Sequence, residues 1–257
     1  NEIYNNDLLV DVDDYHYGSG IMLMMNIAPI EVINNHIHDN GQIDPSFQGS
    51  AIGCQYCTSQ VTIQSNQLLD NEGDNALMLS YSSPFVQQNT IINPGASTGI
   101  YFGSSYSGQA LNVFNNIIAR HAHYNIFGAM TSMISTSVTM MQNTLADASI
   151  GMHLESSPGL GSFIILFSNG IVSGHDETGI SSSGPLTLLI SDTLFNNNLA
   201  DGVTGTNPLA GDPKFKSPTS YNYHLNRDSQ AIDRLASGLG LDIDGDTEAP
   251  AGGAPGA

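Results

Sequence analysis

The sequence predicts an all-β fold, a solenoid of about eight stacked coils closed by a C-terminal tail. Three observations predict it. An Asn-centred apolar motif returns at intervals of 23 to 31 residues, and a recurring period of that size signals stacked units. Around each anchor apolar residues stand at alternate positions, which is strand periodicity. The strand positions are rich in Ile and Val, and the apolar spacing of leucine-rich or ankyrin repeats is missing.

The anchors are Asn6, Asn35, Asn66, Asn89, Asn116, Asn143, Asn169 and Asp192. Three residues before them stand Ile3, Val32, Ile63, Val86, Val113, Met140, Leu166 and Leu189. Two residues after them stand Leu8, Ile37, Leu68, Ile91, Ile118, Leu145, Ile171 and Leu194. All sixteen positions are apolar in a chain of 40% hydrophobic content, so the register is not an accident of composition. A second apolar step follows each anchor, as in Ala51-Ile52, Ala76-Leu77, Gly99-Ile100, Asn125-Ile126, Gly151-Met152 and Gly179-Ile180.

Each repeat therefore holds short strands separated by turns. Stacking sets equivalent strands in parallel about 4.8 Å apart around a core of Ile, Val, Leu and Met. The preference of parallel crossovers makes the coil right-handed. An Asn at each bend can bond backbone groups and adopt left-handed dihedrals, and stacked Asn side chains can bond one another from coil to coil. Asp192 breaks that ladder, because a carboxylate accepts but does not donate.

Segments such as Val32-Ile33-Asn34-Asn35-His36-Ile37-His38-Asp39-Asn40 resemble the right-handed β-helix repeats of the pectate-lyase-like superfamily, over residues 1 to about 205. The resemblance implies the fold. It leaves the activity open, because that superfamily includes lyases, hydrolases, epimerases and adhesins. From residue 209 onward the pattern changes, dividing the chain into a helix over 1–208 and a tail over 209–257 that packs on the helix or caps it. The tail elements Gly211-Asp212-Pro213-Lys214-Phe215, Tyr221-Asn222-Tyr223-His224-Leu225 and Asp242-Ile243-Asp244-Gly245-Asp246 are similar to the closing segment of bacterial secreted β-helix proteins of unassigned function. Two departures stand out: Glu248-Ala249-Pro250 replaces the usual Arg-Pro, and Ala251 to Ala257 replaces the final strand.

Charge narrows the partners. Twenty-four Asp and Glu against five Lys and Arg give a net charge of -19, and only Arg120 among the cations precedes residue 209. Nucleic acid and anionic membrane surfaces are disfavoured, since both are bound by clustered Lys and Arg. No apolar run reaches the roughly 18 residues of a transmembrane helix. Low charge, 27 Gly and no Trp suit an extracellular or cell-surface repeat protein. The chain opens inside a repeat, so the reading is a section of a longer secreted protein with further domains.

Several residues invite chemistry. Asp242, Asp244 and Asp246 have the first, third and fifth spacing of a calcium loop, although Thr247 occupies the sixth position where Gly is needed. A solvated acidic turn is the competing reading. Four residues after the anchors lies the column Asp39, Asp70, Asn93, Arg120 and Asp147. By resemblance to lyases of this fold, Asp39 and Asp70 would hold calcium while Arg120 takes a proton beside a uronate carboxylate. Against this, the column meets a turn, where Asp and Asn are the expected residues, and Arg120 with Asp147 makes an ordinary surface ion pair. The pairs His36/His38 and His121/His123 lie on coils too far apart to share a metal and read as solvated turn residues. Cys54 and Cys57 are a local disulfide or two free thiols, without enough ligands for zinc.

The leading functional expectation is a non-catalytic extracellular β-helix, structural or adhesive, with a polysaccharide or another cell-surface protein as partner. Tyr15, Tyr101, Tyr106 and Tyr124 offer surfaces for a neutral glycan. The alternative is a calcium-assisted polysaccharide lyase around Arg120.

Overall fold

The structure, a computed structural model, describes residues 1–8, 20–25, 28–42, 50–103, 110–130, 133 and 135–232. Three parallel sheets form the walls of a solenoid. The first has nine strands: Glu2–Tyr4, His36–His38, Gln67–Leu69, Thr90–Ile92, Ile117–Ala119, Thr144–Ala146, Ile171–Ser173, Leu194–Asn196 and Leu209–Ala210. The second has seven strands from Ile21–Met24 to Thr178–Ser183, and the third seven from Ile30–Ile33 to Thr187–Ser191. One strand from each wall makes a coil, so among the described residues seven coils are complete, against an expectation of about eight. The eighth keeps its first-wall strand, but its second-wall contribution shrinks to a single bridge between Ile180 and Gly202. Leu209–Ala210, read from the sequence as the start of the tail, is the ninth strand of the first wall.

Alternate residues of each strand face inward. Ile37, Leu68, Ile91, Ile118, Leu145, Val172 and Phe195 form one buried column, and Val32, Ile63, Val86, Val113, Met140, Phe167 and Ile190 another. Ile52, Leu77, Ile100, Ile126, Met152 and Ile180 line the second wall.

The register departs from the sequence reading at both ends. In the first coil Glu2 pairs with His36 and Ile3 with Ile37, so Asn1 and not Asn6 stands beside Asn35. The motif Asn1 to Asn6 repeats as Asn35 to Asn40, with an Asn at each end, which makes either Asn a credible anchor. Near the other end Met140 pairs with Phe167 and Phe167 with Ile190, so Asn169 and Asp192 lie one residue early. Leu166 and Leu189 consequently face outward, 42% and 54% exposed. The run Phe163-Ile164-Ile165-Leu166-Phe167 is apolar on both faces, so alternation cannot set its phase, and a one-residue slip turns every side chain over.

Two corner jobs assigned to a single Asn are divided between neighbours. The left-handed residues are Asn34, Ser65, Gln88, Asn115, Gln142, Asn169 and Asp192, with φ between 49° and 58°. The ladder is made by the residue that follows. Each Oδ1 of Asn66, Asn89, Asn116 and Asn143 accepts the backbone N–H and the Nδ2 of the previous Asn, all at 2.9–3.1 Å. Asn1 Nδ2 adds a rung to Asn35 at 3.0 Å. The ladder stops at Gly170, where a Cβ would lie 2.6 Å from the Phe167 ring. Asp192 stands beside the ladder, not in it.

A second ladder runs along the next corner through Asn6, Asn40, Asn71 and Asn93, with amide bonds of 2.9, 2.9 and 3.2 Å. His121 then takes the place of Asn, and it is buried instead of solvated. Its Nδ1 lies 3.0 Å from Asn125 Oδ1; Asn125 Nδ2 donates to Ala146 O and to His175 Nε2, both at 3.0 Å. His175 therefore carries its proton on Nδ1, which donates to Asn198 Oδ1 at 2.7 Å. Burial pushes the His121 imidazole down to about 4 and lowers His175 as well.

Among the described residues, the edge of the last coil is met by residues 199–207. Gly179 and Ile180 donate their N–H groups to Ala200 O and Asp201 O at 2.7 and 3.0 Å, and Thr206 donates to Ile190 O at 2.9 Å. The closing segment thereby occupies edge groups that would otherwise recruit another strand.

Three outcomes follow from this packing. Asn116→Ala strands the Asn89 backbone N–H and removes a bond each from Asn89 Nδ2 and the carbonyls of Val86 and Phe114, and should cost about 3 kcal/mol in urea unfolding. Leu189→Ser should change stability by less than about 0.5 kcal/mol, whereas Phe167→Ala should cost about 4 kcal/mol; equal effects would refute the register. Unfolded His121 titrates near 6.5 while the folded residue stays neutral to about 4. The unfolded chain thus binds the proton first, so stability is full above pH 6.5 and falls as pH drops toward 4, by on the order of 3 kcal/mol. Thermal melts of His121→Asn across that window should show a shallower pH dependence.

Candidate functional site

The column proposed for lyase chemistry is a corner occupied by the chain's own tail. Asp39, Asp70, Arg120 and Asp147 adopt φ of 51°, 52°, 61° and 51°, and Gly174 and Asn197 continue the left-handed series. This is the turn role that Asp and Asn fill readily. Against it packs an antiparallel hairpin, Phe215–Ser217 with Asn222–Leu225, joined through the 3-10 turn Pro218–Ser220. Tyr221 Oη donates to Asp70 Oδ1 at 2.7 Å and Tyr223 Oη to Asp147 Oδ2 at 2.6 Å. The Arg120 guanidinium lies 5.1 Å from the Tyr221 ring centroid, and its Nη1 donates to Pro218 O at 3.4 Å.

Arg120 and Asp147 do not form the expected ion pair, because the tyrosines intervene with better-placed partners. Tyr223 is 1% exposed and packs with Ile92, Ile117, Ala119 and Ala146 on the outer face of the first wall. Burial, and then the bond to Asp147, push its hydroxyl far above the usual tyrosine range. Asp39 is engaged elsewhere, 2.7 Å from His38 Nδ1. The structure thus brings Asp70, Arg120 and Asp147 together under the tail, and it leaves Asp39 apart from them.

Other sequence-derived candidates separate. Asp242, Asp244 and Asp246 lie outside the described residues, as do Tyr15 and Tyr106. Cys54 and Cys57 are joined in a disulfide, and both are fully buried inside the solenoid at the end of the second-wall strand Ser50–Gln55. His121 is part of the buried corner network, whereas His123 is exposed with Nδ1 3.0 Å from Ser97 Oγ. His36 and His38 stand on the first wall, so the two histidine pairs share no ligand geometry.

The feature with the clearest surface chemistry is on the outer face of the second wall. Parallel register places Tyr101, Phe127, His153 and Ser181 on successive coils. Their inward neighbours Ile100, Ile126 and Met152 are buried. The rings follow one another closely: Tyr101 to Phe127 5.8 Å and Phe127 to His153 5.8 Å, the latter with nearly parallel planes at 14°. Tyr124 stacks beside them, 5.1 Å from Phe127 and 5.9 Å from His153. All four are half-buried, so their orientation is held while part of each ring faces outward.

The margin is polar and carries no cation among these residues. His153 Nδ1 lies 2.7 Å from Ser181 Oγ, and Glu155 is exposed two residues further along the same strand. Burial, followed by the proximity of Tyr81 and Glu155, raises the Tyr101 hydroxyl above its ordinary value. Held ring faces with hydroxyl, imidazole and carboxylate groups at their edge suit the apolar face and hydroxyl rim of a neutral sugar. They do not suit a polyanion. Tyr101 and Tyr124 were legible as candidates, whereas Phe127 and His153 were not. A usable signal lay in the residue after each second apolar step, Ile100-Tyr101, Ile126-Phe127 and Met152-His153.

A family model described as right handed beta helix region matches residues 1–145. No curated protein and no solved structure matches the chain. The matched span is more than half of the 257 residues, and three walls of parallel strands are the architecture that description names. The chain therefore belongs to the right-handed β-helix family.

Proposed function

We propose that this chain is a non-catalytic β-helix module of a larger secreted or cell-surface protein, and that it binds neutral glycans along the second wall. The observation that carries the reading is the contiguous strip of Tyr101, Tyr124, Phe127 and His153, whose rings lie 5.1–5.9 Å apart along successive neighbours. Strand stacking repeats the strip every 4.8 Å or so, a rise that lets neighbouring rings support one extended saccharide. The resemblance to pectate-lyase-like repeats is consistent with a saccharide partner. The net charge of -19 favours an uncharged polymer over a uronate one.

An extracellular setting agrees with the buried Cys54–Cys57 disulfide, since such bonds persist in oxidising compartments. Calcium-assisted lysis around Arg120 is the weaker reading, because Tyr221, Tyr223 and Pro218 already take up Asp70, Asp147 and Arg120. Calcium at Asp242, Asp244 and Asp246 would be a structural addition to the tail.

Binding to a panel of neutral and uronate polysaccharides, followed by affinity electrophoresis and calorimetry, tests the proposal. A neutral polymer should be retained, and Tyr124→Ala or Phe127→Ala should weaken it about tenfold, equivalent to about 1.4 kcal/mol. Arg120→Ala should leave retention unchanged. Calcium-dependent turnover of a uronate polymer that disappears in Arg120→Ala, or retention unaffected by both ring substitutions, would overturn it.

A further inference from the structure

We infer that Glu2, His36 and His38 form a binding site for a divalent transition-metal ion of the zinc class on the outer face of the first wall. Topology assembles the set. Glu2 and His36 are register partners on neighbouring parallel strands, and His38 follows His36 by two positions. Ile37 between the two histidines is fully buried, so both imidazoles project outward to the side on which Glu2 stands.

One ligand atom from each of the three residues lies within 4.8 Å of the other two. Glu2 Oε1 and His38 Nε2 are 3.1 Å apart. That is close to the roughly 3.3 Å separating two ligands of a tetrahedral ion with bonds of about 2.0 Å. The His36 and His38 ring centroids are 4.3 Å apart, so modest side-chain rotation brings the third donor in.

A separate contact prepares His38 for coordination. Asp39 Oδ2 lies 2.7 Å from His38 Nδ1 and holds a proton there, while Nε2, 3.1 Å from Glu2 Oε1, would release its proton to solvent and bind the ion as the ion takes the place of that hydrogen bond. Metal-bound histidines recurrently have this carboxylate behind them, where it sets the tautomer and raises ligand basicity. Tyr4 stacks on the His38 ring at 5.2 Å with an interplanar angle of 5°, holding it from the other side.

Two imidazoles and one carboxylate are a borderline donor set that suits zinc, whereas calcium calls for six or more oxygens. The ion would join strand Glu2–Tyr4 to strand His36–His38. Among the described residues, Glu2–Tyr4 pairs with His36–His38 alone. Bound metal would therefore resist separation of these two strands. The site is independent of the second-wall strip, and its failure would not bear on glycan binding.

Titration of the untagged chain with zinc chloride at pH 7.5, read by calorimetry and thermal melting, provides the test. One zinc per chain should bind with a micromolar or tighter constant and raise the melting temperature. His36→Ala, His38→Ala and Glu2→Gln should each weaken binding at least tenfold, and calcium should not compete. Asp39→Asn should weaken it about tenfold without removing it. These side chains point away from the core, so far-UV circular dichroism should be unchanged in every variant. Cobalt(II) should give the visible bands of a four-coordinate centre that are lost in His38→Ala. No zinc binding, or binding that survives both histidine substitutions, would overturn the inference.

Discussion

A chain that turns three corners in every coil must bury backbone amides at those corners, and each buried amide needs a partner. The asparagine ladders meet that need. One Oδ1 takes two donors from the coil before, while the Nδ2 returns to backbone carbonyls and to the next Asn. Each rung thus satisfies two coils at once, and a single amide side chain of the right length is used repeatedly along the axis. The left-handed residue just before each rung supplies the sharp turn, at a conformational cost offset by its own N–H bond to the next coil.

Where the ladder does not continue, other groups fill the corner. In the first corner the Phe167 ring fills the space beside Gly170, and Thr193 Oγ1 turns back to Ser191 O. In the second corner His121, Asn125, His175 and Asn198 form a longer chain that bridges the coil in which Ala148 offers no polar side chain. Two neutral histidines are the consequence, which ties the stability of the solenoid to pH in a way that an all-Asn ladder would not. Closure by residues 199–207 applies the same rule at the sheet edges, exchanging open N–H and C=O groups for bonds within the chain.

With most corner groups paired, Asn93 Nδ2 and His121 Nε2 being exceptions among the described residues, the outer faces of the walls are free to differ. The first wall receives the tail hairpin through Tyr221 and Tyr223, an arrangement that uses the corner carboxylates as anchors. The second wall keeps its outward rings, and stacking converts a residue type repeated once per coil into a continuous strip. The functional reading rests on that conversion. Side chains some 26 residues apart in the chain become neighbours within van der Waals reach.

The sequence by itself determined the solenoid, its parallel strands and most of its core. Period and alternation are one-dimensional signals, and from Asn35 to Asn143 every anchor and both flanking apolar columns occupy the places the repeat predicts. The cation-poor composition likewise belonged to the sequence. Tertiary structure decided what periodicity leaves degenerate. It chose between the two Asn of Asn1–Asn6, and between the two apolar faces of Phe163–Phe167, because only packing distinguishes inside from outside when both are apolar. It also decided which side chains meet: Tyr223 with Asp147 across 76 residues and Glu2 with His38 across 36. No local pattern encodes such contacts, since they depend on which coil lies beside which and on where the tail returns.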